Sequence, residues 1–138
     1  MIEESIKKFF ENNCPLLVGK KLKVDCLGEK PTSCCIEASP TGRIVRKYPD
    51  GGSLRQFVFV FATREYFDAD TREQLKTAEF YEKYYDWIEE CDEQRIFPTL
   101  EDGLEPVGWE VLSSGYQFKT DLKTARYQIQ LRLLYEKE

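Results

Sequence analysis

The run Leu54-Arg-Gln-Phe-Val-Phe-Val-Phe-Ala62 constrains the fold of this chain more than any other segment. From Phe57 onward it offers an apolar side chain to both faces of an extended strand, the pattern of a central strand covered on two sides. Just upstream, Arg43-Ile-Val-Arg-Lys-Tyr48 is separated from it by Pro49-Asp-Gly-Gly-Ser53, whose glycines permit the positive φ angles of a tight reversal. The two segments are predicted to form a β-hairpin.

Helical periodicity appears twice. Ile2, Ile6, Phe9 and Phe10 fall at i, i+4, i+7 and i+8, one apolar stripe on a helix that Cys14-Pro15 should stop. A longer helix is predicted from a cap at Asp68 or Asp70 to about Arg95. Within it Phe80, Tyr84, Trp87, Ile88 and Cys91 repeat at helical spacing, with Tyr81 and Tyr85 widening the stripe. Each large apolar side chain contributes about 1.5–3 kcal/mol when buried, which outweighs the weak helix propensity of so many aromatics. Thr77 is a candidate break between a short and a long segment.

Strand patterns fill the remainder. Leu22 to Leu27 alternates like a half-buried strand, Gly28 to Ser33 reads as a turn or loop, and Cys34 to Ala38 is a candidate partner strand. Phe97 to Gly108, with its prolines, glycines and acidic run, reads as a surface loop, and Trp109 to Leu112 as a short strand punctuated by Gly115. Thr124 to Leu133 alternates strictly: Ala125, Tyr127, Ile129, Leu131 and Leu133 face one way, and Arg126, Gln128, Gln130 and Arg132 the other. One side is therefore core and the other wet or in contact with a partner. The expected product is an α+β fold, an antiparallel sheet with an N-terminal helix and a long central helix packed on it, in one domain spanning 1–138.

Composition narrows the function. The chain carries no histidine, which removes Ser-His and Cys-His nucleophiles, histidine-bearing zinc sites and imidazole acid–base catalysis. A net charge of −5 disfavours a general electrostatic grip on nucleic acid or anionic membrane. With no basic, apolar leader and no apolar run near membrane length, the chain is expected to be soluble and intracellular. An odd set of five cysteines points to free thiols in a reducing compartment. Cys34 and Cys35, adjacent in a strand, should point to opposite faces as small buried residues, and no Cys-x-x-Cys spacing exists for zinc. Asp50-Gly-Gly-Ser53 lacks the Lys-Ser/Thr ending of a phosphate loop. No catalytic, cofactor or metal residue is assigned.

Two charged groups have both a bland and a sharper meaning. Glu82, Asp86, Glu89 and Glu90 belong to an acidic face on the long helix, whose like-charge pairs at i, i+4 cost about 0.2–0.5 kcal/mol each. That face is either solvated or turned to a partner. Arg43, Arg46, Lys47 and Arg55 cluster around the hairpin, as charges that blunt a strand edge or as the counterpart of the acidic face in a contact between subunits. Arg126 and Arg132, on the polar side of the last strand, complete the interface candidates. The competing class is a small enzyme or ligand-binding domain with an aromatic pocket lined by Tyr81, Tyr84, Tyr85 and Trp87.

The segments Ile2-Glu-Glu-Ser-Ile6, Asp50-Gly-Gly-Ser53, Gln56-Phe-Val-Phe-Val-Phe61, Arg64-Glu-Tyr66, Phe80-Tyr-Glu-Lys83, Asp86-Trp-Ile-Glu-Glu90, Gly115-Tyr116 and Thr124-Ala-Arg-Tyr-Gln-Ile-Gln130 follow one another in an order that resembles a family of phage and prophage structural proteins of Gram-positive bacteria. These are similar to tail terminator or minor capsid proteins, encoded among head–tail joining and tail genes. The resemblance spans essentially the whole chain and departs from the family pattern at Cys34-Cys35 and Lys119 to Lys123. It implies a non-enzymatic virion subunit, made in the host cytoplasm, that forms a homo-oligomeric, hexameric ring on the last tail-tube ring. That subunit would stop polymerisation of the tail tube protein and face the head connector or neck protein. Another head–tail joining role carries the same chemistry. Some family members bear a chloramphenicol-resistance label, which this histidine-free sequence does not support chemically.

Overall fold

The apolar run around Phe57 becomes the middle of a 14-residue strand, β4 (Ser53–Tyr66), paired antiparallel along its whole length with the equally long β7 (Thr124–Lys137). The structure, a computed structural model, describes residues 2–17, 22–24, 34–66, 71–120 and 124–138. The other strands are β1 (Leu22–Val24), β2 (Cys34–Ala38), β3 (Ile44–Lys47), β5 (Leu104–Val111) and β6 (Tyr116–Thr120), and the helices are α1 (Ile2–Asn13) and α2 (Thr71–Glu93). The architecture is α+β, as the sequence pattern predicts.

The strands form a seven-stranded sheet in the order β1-β2-β4-β7-β5, with β3 also on β4 and β6 also on β7. Register divides the edges of the two long strands. β2 covers Phe59 to Thr63 of β4 while β3 covers Ser53 to Arg55, and β6 covers Ala125 to Gln128 of β7 while β5 covers Leu131 to Lys137. Thus β3 and β5 flank one end of the β4–β7 ribbon, on opposite sides, and β2 and β6 flank the other end. All pairings are antiparallel except β1 with β2, which is parallel. The turn expected from Gly28 to Ser33, and the caps expected at Asp68 or Asp70, lie outside the described residues.

One sheet face and both helices share the core. Phe59 and Phe61 of β4, Ile129, Leu131 and Leu133 of β7, Ile6, Phe9 and Phe10 of α1, and Tyr84 and Ile88 of α2 are all buried there. Aromatic rings make the contacts that set the helix positions. Tyr84 stacks on Phe61 with centroids 4.5 Å apart and planes 11° from parallel, and Phe10 lies 5.6 Å from Trp109. Trp109 donates its indole N–H to the Ile96 carbonyl, and its backbone N–H to Asp92 of α2, tying β5 to the end of that helix.

Three boundaries differ from the sequence expectation. α2 runs through Thr77 without a break and ends at Glu93; its packed stripe, Phe80 to Cys91, lies after the threonine, and Leu75 before it is 64% exposed. Its end is a Schellman closure: Ile96 N–H reaches the Cys91 carbonyl at 2.8 Å and Arg95 N–H reaches that of Asp92 at 3.2 Å, with Arg95 at φ 58°. β5 begins at Leu104, inside the expected loop, because an irregularity between Pro106 and Gly108 absorbs a proline that an unbroken ladder would reject. β6 was not expected as a strand.

The second sheet face explains the two-sided apolar pattern. Val58, Val60 and Ala62 are buried there although, among the described residues, no helix covers them. Their neighbours on that face are long polar side chains of the adjacent strands, with Arg132 opposite Val58 and Gln130 opposite Val60, and the charged heads of that layer pair as Arg126–Glu37 and Arg132–Glu110.

Candidate assembly surface

The residues singled out by charge occupy three separate places. At one corner of the sheet, the hairpin turn is closed by Tyr48 N–H on the Gly52 carbonyl at 2.8 Å and by Gly52 N–H on Asp50 Oδ1 at 3.0 Å, with Gly51 at φ 96°. Beyond it β3 is exposed throughout, and pairs only with β4. Arg43, Arg46 and Lys47 project here beside Ile44 and Val45, which are 44% and 45% exposed. No internal ion pair holds these cations among the described residues. Arg55 is half-buried and donates from Nε to Ser53 Oγ at 3.0 Å, so it braces the hairpin base.

Glu82, Asp86, Glu89 and Glu90 are all exposed on α2. The first three lie on one stripe at i, i+4 and i+7. Glu90 stands off this line and accepts a hydrogen bond from Gln94 at 3.0 Å. The stripe overhangs the gap between α2 and the β5–β6 edge of the sheet. Like the hairpin cations, Glu82, Asp86 and Glu89 have no internal counter-ion among the described residues.

Arg126 and Arg132 form the polar layer on the second sheet face, and their charges are spent within the chain. Arg126 makes a bidentate pair with Glu37, at 3.1 and 2.8 Å, reaching from β7 to β2 across the small Ala62 of β4. That hydrogen-bonded carboxylate holds the guanidinium even more firmly protonated than usual, against the opposing effect of burial. Arg132 pairs with Glu110 and donates to Gln56 at 3.0 Å. Gln128 receives Arg126 Nε at 3.1 Å and donates to the Tyr116 hydroxyl at 2.6 Å, which extends the network to β6.

The aromatic pocket expected from Tyr81, Tyr84, Tyr85 and Trp87 is only partly realised. Tyr84 is fully buried against Phe61, and Trp87 packs on Phe9. Tyr81 and Tyr85 instead meet Tyr116 and Tyr127 around an open cleft of about 340 Å³, with Glu82 and Asp86 on its rim. Tyr81 fixes the floor: its hydroxyl bonds Thr63 Oγ1 at 2.6 Å and donates to the Tyr127 carbonyl at 2.8 Å. Gly115 closes over that ring so tightly that a Cβ there would sit 2.5 Å from Tyr81 Cβ and Cγ. Tyr116, 41% exposed, borders the cleft with its hydroxyl turned to Gln128, which lies opposite it in the β6–β7 pairing. Tyr127 escaped the pocket reading because it joins Tyr81 and Tyr85 only once β7 is packed under α2.

The thiols are structural. Cys14, Cys34, Cys35 and Cys91 are buried thiols in no disulfide, and Cys34 and Cys35 point to opposite faces as expected, the first into the helix-side core and the second toward Glu37. Burial pushes Cys14 and Cys91 up to about 11 and, aided by Glu37, Cys35 up to about 12. No group of histidine, cysteine and acidic residues suited to a metal ion occurs among the described residues, and none of their helices is long and apolar enough to cross a membrane. No protein-family model matches the chain, and no curated protein matches it.

Proposed function

We propose that this chain is a non-enzymatic assembly subunit that works by docking against copies of itself and against other virion components, as a phage or prophage tail terminator that caps the tail tube and joins it to the head connector. The observation that carries the reading is the segregation of unpaired charge. Cations on the β3 edge and carboxylates on the α2 stripe each lack an ion-pair partner among the described residues, while Arg126 and Arg132 are neutralised inside the chain. A cyclic oligomer requires two different complementary patches on each subunit, and these two patches meet that requirement. The ring, its six-fold order and its neighbours come from the sequence resemblance, with which the α+β architecture agrees.

The experiment is a polymerisation assay of the cognate tail tube protein with and without this chain, read by negative-stain electron microscopy. A terminator shortens the tubes and leaves a ring at one end only. Tubes of unchanged length with bare ends would remove the terminator role, and binding to the connector alone would favour a different head–tail joint.

A further inference from the structure

We infer that the tyrosine cleft between α2 and the β6 end of the sheet is the socket for the basic β3 edge of a second copy of this chain, with Arg46 and Lys47 of that copy as the entering cations. This rests on the assembly reading above and assigns its contact to specific groups. Three phenol rings, Tyr81, Tyr85 and Tyr127, line the cleft, Tyr116 borders it with its hydroxyl turned to Gln128, and Glu82 and Asp86 complete the edge. Aromatic faces attract a guanidinium or ammonium through the ring quadrupole, and carboxylates at the mouth complete its charge. The rest of the lining is the small Ala78, Ser114 and Gly115, which leaves room for a cation on an aliphatic stem flanked by apolar neighbours. β3 is such an object: Arg46 and Lys47 beside exposed Ile44 and Val45, on a strand that pairs on one edge, with β4, among the described residues.

Position excludes an internal contact. β3 pairs with Ser53 to Arg55 on the outer edge of β4, whereas the cleft is anchored at Thr63 and lies along the outer edge of β7. From Leu54 to Thr63 an extended strand covers roughly 30 Å, at about 3.4 Å per residue. The plug and socket therefore occupy diagonally opposite corners of one subunit. A contact between opposite corners is head-to-tail, the kind that closes into a ring when its rotation closes.

The test uses the full-length chain and sedimentation velocity. Arg46→Ala damages the plug and Tyr85→Ala the socket, and each alone is expected to weaken self-association about tenfold or more. Asp86→Lys, at an exposed position with no ion pair among the described residues, should do the same and replaces Tyr85→Ala if that variant does not fold. Mixing the plug variant with the socket variant leaves one intact contact per mixed pair, so the mixture should form 1:1 dimers and no larger ring. Wild-type assembly by each variant alone, or rings of wild-type size in the mixture, would overturn the socket while leaving the assembly reading standing. A wild-type chain that stays monomeric at every concentration would overturn both. Titration of the wild-type chain with N-acetyl-argininamide, followed by NMR of the tyrosine rings, should move Tyr81, Tyr85 and Tyr127 selectively, and shifts confined to other tyrosines would count against the cleft.

Discussion

Gly115 shows how one residue sets the shape of the candidate socket. Any side chain there meets Tyr81 at 2.5 Å, and Tyr81 cannot yield without losing its bonds to Thr63 and the Tyr127 carbonyl. Gly115→Ala should cost about 1–3 kcal/mol in urea unfolding, as overpacking does. Tyr84 presents the opposite case. Its hydroxyl is fully buried with no hydrogen-bond partner among the described residues, and burial, aided by the neighbouring Cys14 and Tyr81, pushes its ionisation well above the ordinary range. Tyr84→Phe is therefore expected to stabilise the protein, by about 1 kcal/mol in the same measurement, since an unpaired buried hydroxyl carries a desolvation penalty. The buried thiols give a pH signature. Their folded values lie above the ordinary 9.0, so the stability they hold is complete below pH 9 and drains away as the pH rises toward 11–12, where the unfolded chain ionises first. Denaturation midpoints should fall above pH 9, and Cys35→Ala should flatten that fall.

Elements differ in how openly the sequence announces them. The α1 stripe, the hairpin, the body of α2 and the alternation of β7 were legible, because each depends on a periodicity that packing only reinforces. The unbroken passage through Thr77 and the early start of β5 were not. One is a helix whose packed stripe begins only after the threonine, at Phe80, and the other is an irregularity that accommodates Pro106. Part of the cleft was equally hidden, since Tyr127 joins Tyr81 and Tyr85 only through the packing of β7 under α2. The cover over Val58 and Val60 was foreseen as a requirement, but a layer of arginines and glutamines supplies it. At this scale the Arg126–Glu37 pair can be measured. A double-mutant cycle with Arg126→Met and Glu37→Gln should give a coupling of about 1–2 kcal/mol, between the values usual for exposed and for buried pairs. Arg95, which closes α2 at positive φ, offers a second test. Arg95→Gly should raise stability by up to about 1 kcal/mol, less the contribution of its contact over the Phe97 ring at 5.5 Å.

For the whole molecule, what matters is that charges satisfied within the subunit and charges left over are sorted in space. The polar sheet face closes on itself through Arg126, Glu37, Arg132 and Glu110, whereas the β3 corner and the α2 stripe keep charges with no match among the described residues. A fold that works by chemistry on a bound substrate converges reactive groups in one recess. Here the tyrosine cleft has acidic residues at its rim, and matching cations stand on the far corner of the same subunit. That distribution is the basis for placing function in contact between copies. Sedimentation equilibrium of the full-length chain, over a wide concentration range at low and at high salt, tests this most directly. The account predicts association to a closed oligomer that grows with concentration and weakens as salt screens the hairpin and α2 charges. A monomer throughout, or an oligomer whose affinity does not change with salt, would contradict it.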